Sequence, residues 1–160
     1  MSTLPEATYH LEPGYLYASS QGDVIRTVVG SCVAVCLWDK VRQVGGMCHF
    51  LYPSIHEADK ATVRYGNVAV PALVRAVVEC GAEAAALTAQ IFGGAVPPQT
   101  TIDTAGPRNV EIARAVLKKK GISVISEDVG GTMGRKILFD THTGHVAVLK
   151  VHRLRAGDWH

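Results

Sequence analysis

The order of apolar segments along the chain most constrains its fold. Eight short segments rich in β-branched and aromatic residues are separated by glycine, proline or charged turns, a pattern typical of strands. These predicted strands are residues 14–19, 24–29, 33–38, 44–51, 87–92, 123–129, 136–140 and 145–151. Helical spacing of apolar residues occurs in two longer segments, residues 65–80 and a segment from 108 or 109 to about 120. Strands therefore predominate over helices.

A single strand separates the two helical segments, and three strands follow the second helix. This order lacks the regular βαβα alternation of a doubly wound parallel sheet. We predict an α+β fold of mixed or antiparallel sheets, with helices packed outside them. The 160 residues suit one domain, residues 1–160, in which we expect 1–12 and 154–160 to be loosely ordered.

Three local signals refine these elements. Pro71 predicts that the first helix begins at about Val70 or is kinked there, and Gly81 is placed to end it. Residues 33–38 are apolar on both faces, which predicts a buried central strand. The proline-rich segment 96–107 is predicted to be a loop.

Charge and hydropathy exclude several classes of function. Sixteen Lys and Arg against 14 Asp and Glu leave a formal charge of +2, without the basic clustering of a nucleic-acid-binding surface. No apolar run approaches the ~20 residues that span a bilayer, and the N-terminal residues lack the pattern of a signal peptide. We therefore expect a cytoplasmic protein that is not inserted in a membrane, with its four cysteines reduced.

A cysteine and a histidine stand out as candidate catalytic residues. Cys32 follows Gly30 and Ser31 at the end of a β-branched run, and His49 closes the next apolar run. A thiol at a tight turn, one hairpin away from an imidazole, fits a cysteine nucleophile with its base. A lone cysteine in an apolar strand is usually a core residue, and His49 alone is as compatible with a core position as with a base.

Two other types of site compete for the same segments. Cys32, Cys36, Cys48 and His49 could be written as zinc ligands, but the C-x-x-x-C spacing lies within an apolar strand and lacks knuckle glycines. The pairs Gly93-Gly94 and Gly130-Gly131 suggest phosphate loops, yet neither is followed by Lys-Ser/Thr at the required spacing. We favour structural core positions for Cys36, Cys48 and Cys80, and glycine turns that shape the rim of the site.

Six ordered blocks carry a resemblance to a known family. They are GSCVAVCLWD, GGMCHFLYP, RYGNVAV, QIFGGA, RNVEIARAVL and DVGGTMGRKILFDTHTGHV, and they span most of residues 13–151. Together they resemble the CheD family of chemoreceptor glutamine deamidases. The resemblance implies an α+β fold similar to that of the cysteine deamidases among the cytotoxic necrotizing factor toxins.

The resemblance also implies a catalytic triad. The family's cysteine falls on Cys32, its histidine on His49 and its threonine on Thr27, although some members place the threonine where this chain has Arg26. The expected reaction is attack of a Cys32 thiolate, stabilised by His49, on a glutamine amide, through a thioester and without a cofactor. Backbone N–H groups near Ser31 and Cys32 are candidate oxyanion donors, because Gly30 lets the chain turn closely there.

The implied partners are the cytoplasmic helices of methyl-accepting chemotaxis receptors and a CheC-type phosphatase. Hydrolysis of receptor methyl esters would follow the same acyl-transfer route. Two alternatives stay open: a regulatory binding module for phosphatase and receptors, and a cysteine amidohydrolase that acts on other proteins.

Overall fold

The computed structural model describes residues 8–98 and 105–152. These residues form nine strands and two α-helices in an α+β arrangement, as the sequence predicts. The strands are β1 (Thr8–His10), β2 (Leu16–Ser19), β3 (Val24–Val29), β4 (Val33–Asp39), β5 (Val44–Phe50), β6 (Leu87–Gly93), β7 (Ser123–Val129), β8 (Gly134–Asp140) and β9 (Val146–Val151). The helices are α1 (Gly66–Glu79) and α2 (Ala105–Lys119).

The strands form two mixed sheets. One has four strands in the order β1-β3-β8-β9, and the other has five in the order β2-β5-β4-β6-β7. β1 pairs parallel to β3 and β6 pairs parallel to β7, whereas the remaining pairs are antiparallel. β4 and β5 are buried on both faces, which confirms the predicted central strand at residues 33–38.

Both helices pack on the same face of the five-stranded sheet. α1 contacts β2, β4 and β5, and α2 contacts β4, β6 and β7. The other face of this sheet packs against the four-stranded sheet, so the layers run helices, sheet, sheet. The expectation of helices outside both sheets was wrong, since no helix of residues 8–98 and 105–152 covers the four-stranded sheet. Its strands β3, β8 and β9 alternate more and less buried residues and need cover on one face only.

The structure corrects both helix starts. α1 begins at Gly66, before Pro71, because its first-turn N–H groups find acceptors outside the helix: Gly66 N–H donates to Tyr52 O and Asn67 N–H to Pro53 O. α2 begins at Ala105, within the predicted loop 96–107. Pro107 is tolerated there because a first-turn N–H has no acceptor within the helix.

The expectation of loose order at residues 1–12 was wrong for its second half. Thr8–His10 form β1, and Leu11 is buried between the sheets. Residues 1–7 and 154–160 lie outside the described residues. Within the described residues, neither helix is long and apolar enough to cross a membrane.

Candidate active site

The turn between β3 and β4 presents the predicted nucleophile. Its three carbonyls accept hydrogen bonds from the corner that follows β6, residues 94 and 95, and from Asn109 on α2. These are Ala95 N–H to Gly30 O at 2.9 Å, Asn109 Nδ2 to Ser31 O at 3.0 Å and Gly94 N–H to Cys32 O at 2.9 Å. In a trans peptide the N–H points opposite to the preceding C=O. The N–H groups of Ser31 and Cys32 therefore point away from this corner.

Gly93 allows the corner to approach the turn. Its φ of +108° is a left-handed conformation, and a Cβ at this position would overlap the Cys32 carbonyl oxygen. The Gly93 carbonyl in turn accepts a hydrogen bond of 2.9 Å from Gly130 N–H. The two glycine pairs singled out in the sequence thus meet behind Cys32.

His49 shares a sheet face with Cys32. On β5 it lies opposite Ala34 of β4, and residues opposite each other in an antiparallel pair project to the same face. Cys32 lies just before β4 begins, and it belongs to the same apolar cluster between the sheets as Ala34. Both side chains lie between the two sheets.

Thr27 reaches His49 from the other sheet. The Thr27 Oγ1 atom lies 2.7 Å from His49 Nδ1 and donates a hydrogen bond of 2.9 Å to Leu11 O. A carbonyl only accepts, so the single hydroxyl proton belongs to that bond. His49 Nδ1 must therefore carry a proton and donate to Thr27, which leaves the Nε2 lone pair of a neutral imidazole as the basic position.

Burial dominates the electrostatics of the thiol. Thr27, Cys32 and His49 are all at most 1% exposed. Loss of hydration raises the pKa of Cys32 from 9.0 to about 12, and the residue's own backbone N–H offsets this only partly. Burial thus favours the neutral thiol and works against a resting thiolate, whose formation stays a prediction.

The other cysteines do not converge on a common point. Cys36 lies in the apolar cluster between the sheets with Cys32, whereas Cys48 belongs to the cluster under the helices. Cys48 thus faces away from its neighbour His49, as strand alternation predicts. Among residues 8–98 and 105–152 no three His, Cys, Asp or Glu side chains are grouped to hold a metal ion.

Three residues near the site were not singled out in the sequence. Asn109 is fully buried and contacts the Cys32 turn. Arg135, 3% exposed, donates from Nε to Asp128 at 3.1 Å and from Nη1 to Gly93 O at 3.5 Å. Tyr15 is 61% exposed, and its carbonyl accepts from His49 N–H at 3.1 Å. A polar residue at an inward position of α2 was the available signal for Asn109.

Comparisons with known proteins give the family. Residues 52–150 match the family model described as CheD chemotactic sensory transduction. This span begins after Thr27, Cys32 and His49, so it does not bear on their roles.

Three curated relatives extend the match across most of the chain. "Probable chemoreceptor glutamine deamidase CheD 1" of Anaeromyxobacter dehalogenans is 44% identical over 86% of this chain and 81% of its own length. The proteins called "Probable chemoreceptor glutamine deamidase CheD" in Trichlorobacter lovleyi and Sulfurimonas denitrificans are 40% and 35% identical. Those matches cover 89% and 90% of this chain, and 89% and 94% of the relatives. The chain belongs to the CheD family.

Proposed function

We propose that the protein is a protein-glutamine glutaminase that converts glutamine side chains of methyl-accepting chemoreceptors to glutamate and releases ammonia. The names of the relatives supply the substrate class. The observation that carries the proposal is the hydrogen bond of 2.7 Å between Thr27 Oγ1 and His49 Nδ1. It orients the imidazole on the sheet face that Cys32 shares.

The first half of the reaction forms a thioester. His49 Nε2 takes the Cys32 thiol proton as Sγ attacks the amide carbon of the substrate. The resulting imidazolium is stabilised by the Thr27 hydroxyl at Nδ1 and gives the proton to the departing ammonia. Because burial disfavours a resting thiolate, this proton transfer accompanies substrate binding and does not precede it.

The second half hydrolyses the thioester. Water enters the position that ammonia leaves, His49 Nε2 takes one of its protons, and the hydroxide attacks the acyl carbon. The C–S bond breaks, the sulfur regains the proton from His49, and the substrate leaves as glutamate. One water is consumed and one ammonia released, so no cofactor or metal is required.

The oxyanion of each tetrahedral intermediate needs fixed donors. The N–H groups of Ser31 and Cys32 are suited to this role, because the carbonyls of the turn are held on the opposite side. The Cys32 N–H already lies close enough to its own sulfur to lower the thiol pKa. One such donor typically lowers the barrier by about 3 kcal/mol.

Several finer expectations accompany this proposal. A receptor methyl ester would follow the same acyl-transfer route, with methanol as the leaving group. A CheC-type phosphatase is a proposed partner, and the cytoplasm is the proposed compartment because the receptor helices to be modified lie there. Similarity to the toxin cysteine deamidases stays a prediction about the fold.

The test is mass spectrometry of a receptor cytoplasmic fragment that carries glutamines at its modification sites. The fragment is incubated with the wild-type protein, with Cys32→Ala or with Cys36→Ala. Cys36 is an equally buried cysteine between the same sheets, four residues from Cys32, and it has no role in the mechanism. It therefore controls for the loss of a core thiol.

Conversion of amide to acid at discrete glutamines by wild type and Cys36→Ala, and not by Cys32→Ala, is the expected result. Equal conversion by Cys32→Ala would contradict the mechanism. Absence of conversion across several receptors, together with tight binding of receptor or phosphatase, would favour the regulatory binding module.

A further inference from the structure

Asn109 connects the two elements that carry the reacting pair. Its side chain projects from the second turn of α2 and is fully buried. One Nδ2 hydrogen is donated to Ser31 O and the other to Leu51 O, each at 3.0 Å. Ser31 directly precedes Cys32, and Leu51 lies two residues after His49. One planar amide therefore spans the gap between the nucleophile's turn and the base's strand.

The start of α2, which carries this amide, is packed closely against the corner after β6. A Cβ at Gly106, three residues before Asn109, would lie 2.5 Å from Ala95 O, so the start of α2 contacts the corner directly. The same corner donates to Gly30 O and Cys32 O. Asn109 is thus held on a closely packed helix start and has little freedom to follow the turn if the turn shifts.

The second atom of the amide is unusual for a purely structural residue. Asn109 Oδ1 is buried and has no hydrogen-bond partner. Buried polar atoms are nearly always paired, and an unpaired one in a native protein calls for an explanation. The hydrogen bonds of this side chain are thus the two that its Nδ2 donates, to the nucleophile's turn and to the residue after β5.

We propose that Asn109 is a positioning residue of the active site, which fixes the separation between Cys32 and His49. The proposal rests on the proposed function only in taking these two residues as the reacting pair. Misplacement of reacting groups by about 1 Å can cost about a hundredfold in rate. Loss of the amide should therefore uncouple the thiol from the imidazole.

The experiment measures the alkylation rate of Cys32 by iodoacetamide, with the labelled peptide identified by mass spectrometry. Four proteins are compared in two pairs. The first pair is the wild type and His49→Gln, and the second is Asn109→Ala without and with His49→Gln. The ratio of the two rates in each background reports how strongly His49 activates Cys32. If Asn109→Ala changes the access of iodoacetamide to Cys32, both proteins of that pair are affected equally, so the change cancels in the ratio.

Asn67→Ala provides the matched control. Asn67 is also an asparagine whose side chain makes two hydrogen bonds to backbone, in this case to Ile55 at 3.0 and 2.8 Å. It lies on α1, away from Cys32 and His49, and its loss should destabilise the fold without affecting the thiol. Asn109→Ser, which can still donate one hydrogen bond, replaces Asn109→Ala if the latter does not fold.

The expected result is that the ratio falls at least about tenfold in Asn109→Ala and stays unchanged in Asn67→Ala. An unchanged ratio in Asn109→Ala, or an equal fall in Asn67→Ala, would overturn the proposal. A ratio of one in the otherwise unchanged chain would overturn the pairing of Cys32 with His49, and this proposal with it. The alkylation experiment needs no receptor. If the ratios are as expected but receptor glutamines are not converted, the result counts against the proposed function alone.

Discussion

Thr27 links the two sheets at the candidate site through one hydroxyl group. The hydroxyl donates to Leu11 O and accepts from His49 Nδ1, so its orientation is fixed from both sides. The hydroxyl orients the imidazole, as a carboxylate or an amide does in other cysteine hydrolases. Unlike a carboxylate, it brings no charge into a buried site. The imidazolium that forms during the reaction is therefore stabilised by a dipole alone.

Removal of this hydroxyl tests its role. We expect Thr27→Val, which is similar in volume, to lower kcat for deamidation about tenfold, because one net hydrogen bond of about 1.4 kcal/mol is lost. Thr27→Ser keeps the hydroxyl and should stay within a few fold of wild type. Steady-state kinetics on a receptor fragment measures both. Equal kcat for Thr27→Val and wild type would show that the hydroxyl does not assist His49.

The pH dependence of Cys32 labelling tests the buried thiol. Since burial raises the Cys32 pKa to about 12, we expect iodoacetamide labelling, although assisted by His49 as a base, to be slower at pH 7 than that of an ordinary thiol and to rise beyond pH 10. The same cysteine in the urea-unfolded chain should follow an ordinary thiol with a pKa of about 8.5. If the labelling rate of the folded protein reaches its maximum by pH 8, the thiolate–imidazolium pair is indicated instead.

At the scale of elements, the site depends on how the ends of β3, β6 and β8 are held together. Arg135 at the start of β8 lies opposite Val29 of β3 and donates to the Gly93 carbonyl at the end of β6. Its Nε also pairs with Asp128 on β7. A buried guanidinium thus joins strands of both sheets immediately behind the Cys32 turn.

Arg135→Met tests this connection. We expect the free energy of unfolding to fall by about 2 kcal/mol or more, because several charge-assisted hydrogen bonds are lost from a buried position. Arg114→Met is the control, since Arg114 pairs with Glu127 on the surface and such pairs contribute at most about 1 kcal/mol. Urea denaturation measures both. Equal losses for the two variants would contradict the bracing role of Arg135.

Strand periodicity and turn residues were sufficient to predict the eight segments and their order. The helix starts were not predictable in this way. The first turn of α1 is anchored by carbonyl groups of residues 52 and 53, which lie outside the helical segment and do not contribute to its sequence pattern. Likewise, no local signal tells which sheet a helix will cover. Asn109 escaped notice because its partners, Ser31 and Leu51, are 78 and 58 residues away.

At the scale of the whole molecule, three buried thiols make stability dependent on alkaline pH. Burial raises the pKa values of Cys32, Cys36 and Cys48 well above 9.0. A raised folded pKa means that the folded chain keeps protons which the unfolded chain releases, so stability is complete below about pH 9 and is lost above it. These thiols should therefore have no effect on stability at acidic or neutral pH and should lower it in strong base.

The slope of this loss can be predicted. Each thiol contributes about 1.4 kcal/mol per pH unit once the unfolded thiol is ionised, so three approach about 4 kcal/mol per unit between pH 10 and 11. Cys36→Ala should reduce the slope by about a third. Denaturation in urea at a series of pH values measures it. A free energy of unfolding that stays flat to pH 11 would contradict the burial of these thiols.

The central claim is that Cys32 forms a thioester with a receptor glutamine, and trapping this intermediate with hydroxylamine tests it most directly. A receptor fragment is incubated with the protein and hydroxylamine, and its glutamines are examined by mass spectrometry. The account predicts hydroxamate at the same glutamines that otherwise become glutamate, with wild type and Cys36→Ala but not with Cys32→Ala. Formation of glutamate without hydroxamate, or of either product by Cys32→Ala, would contradict it.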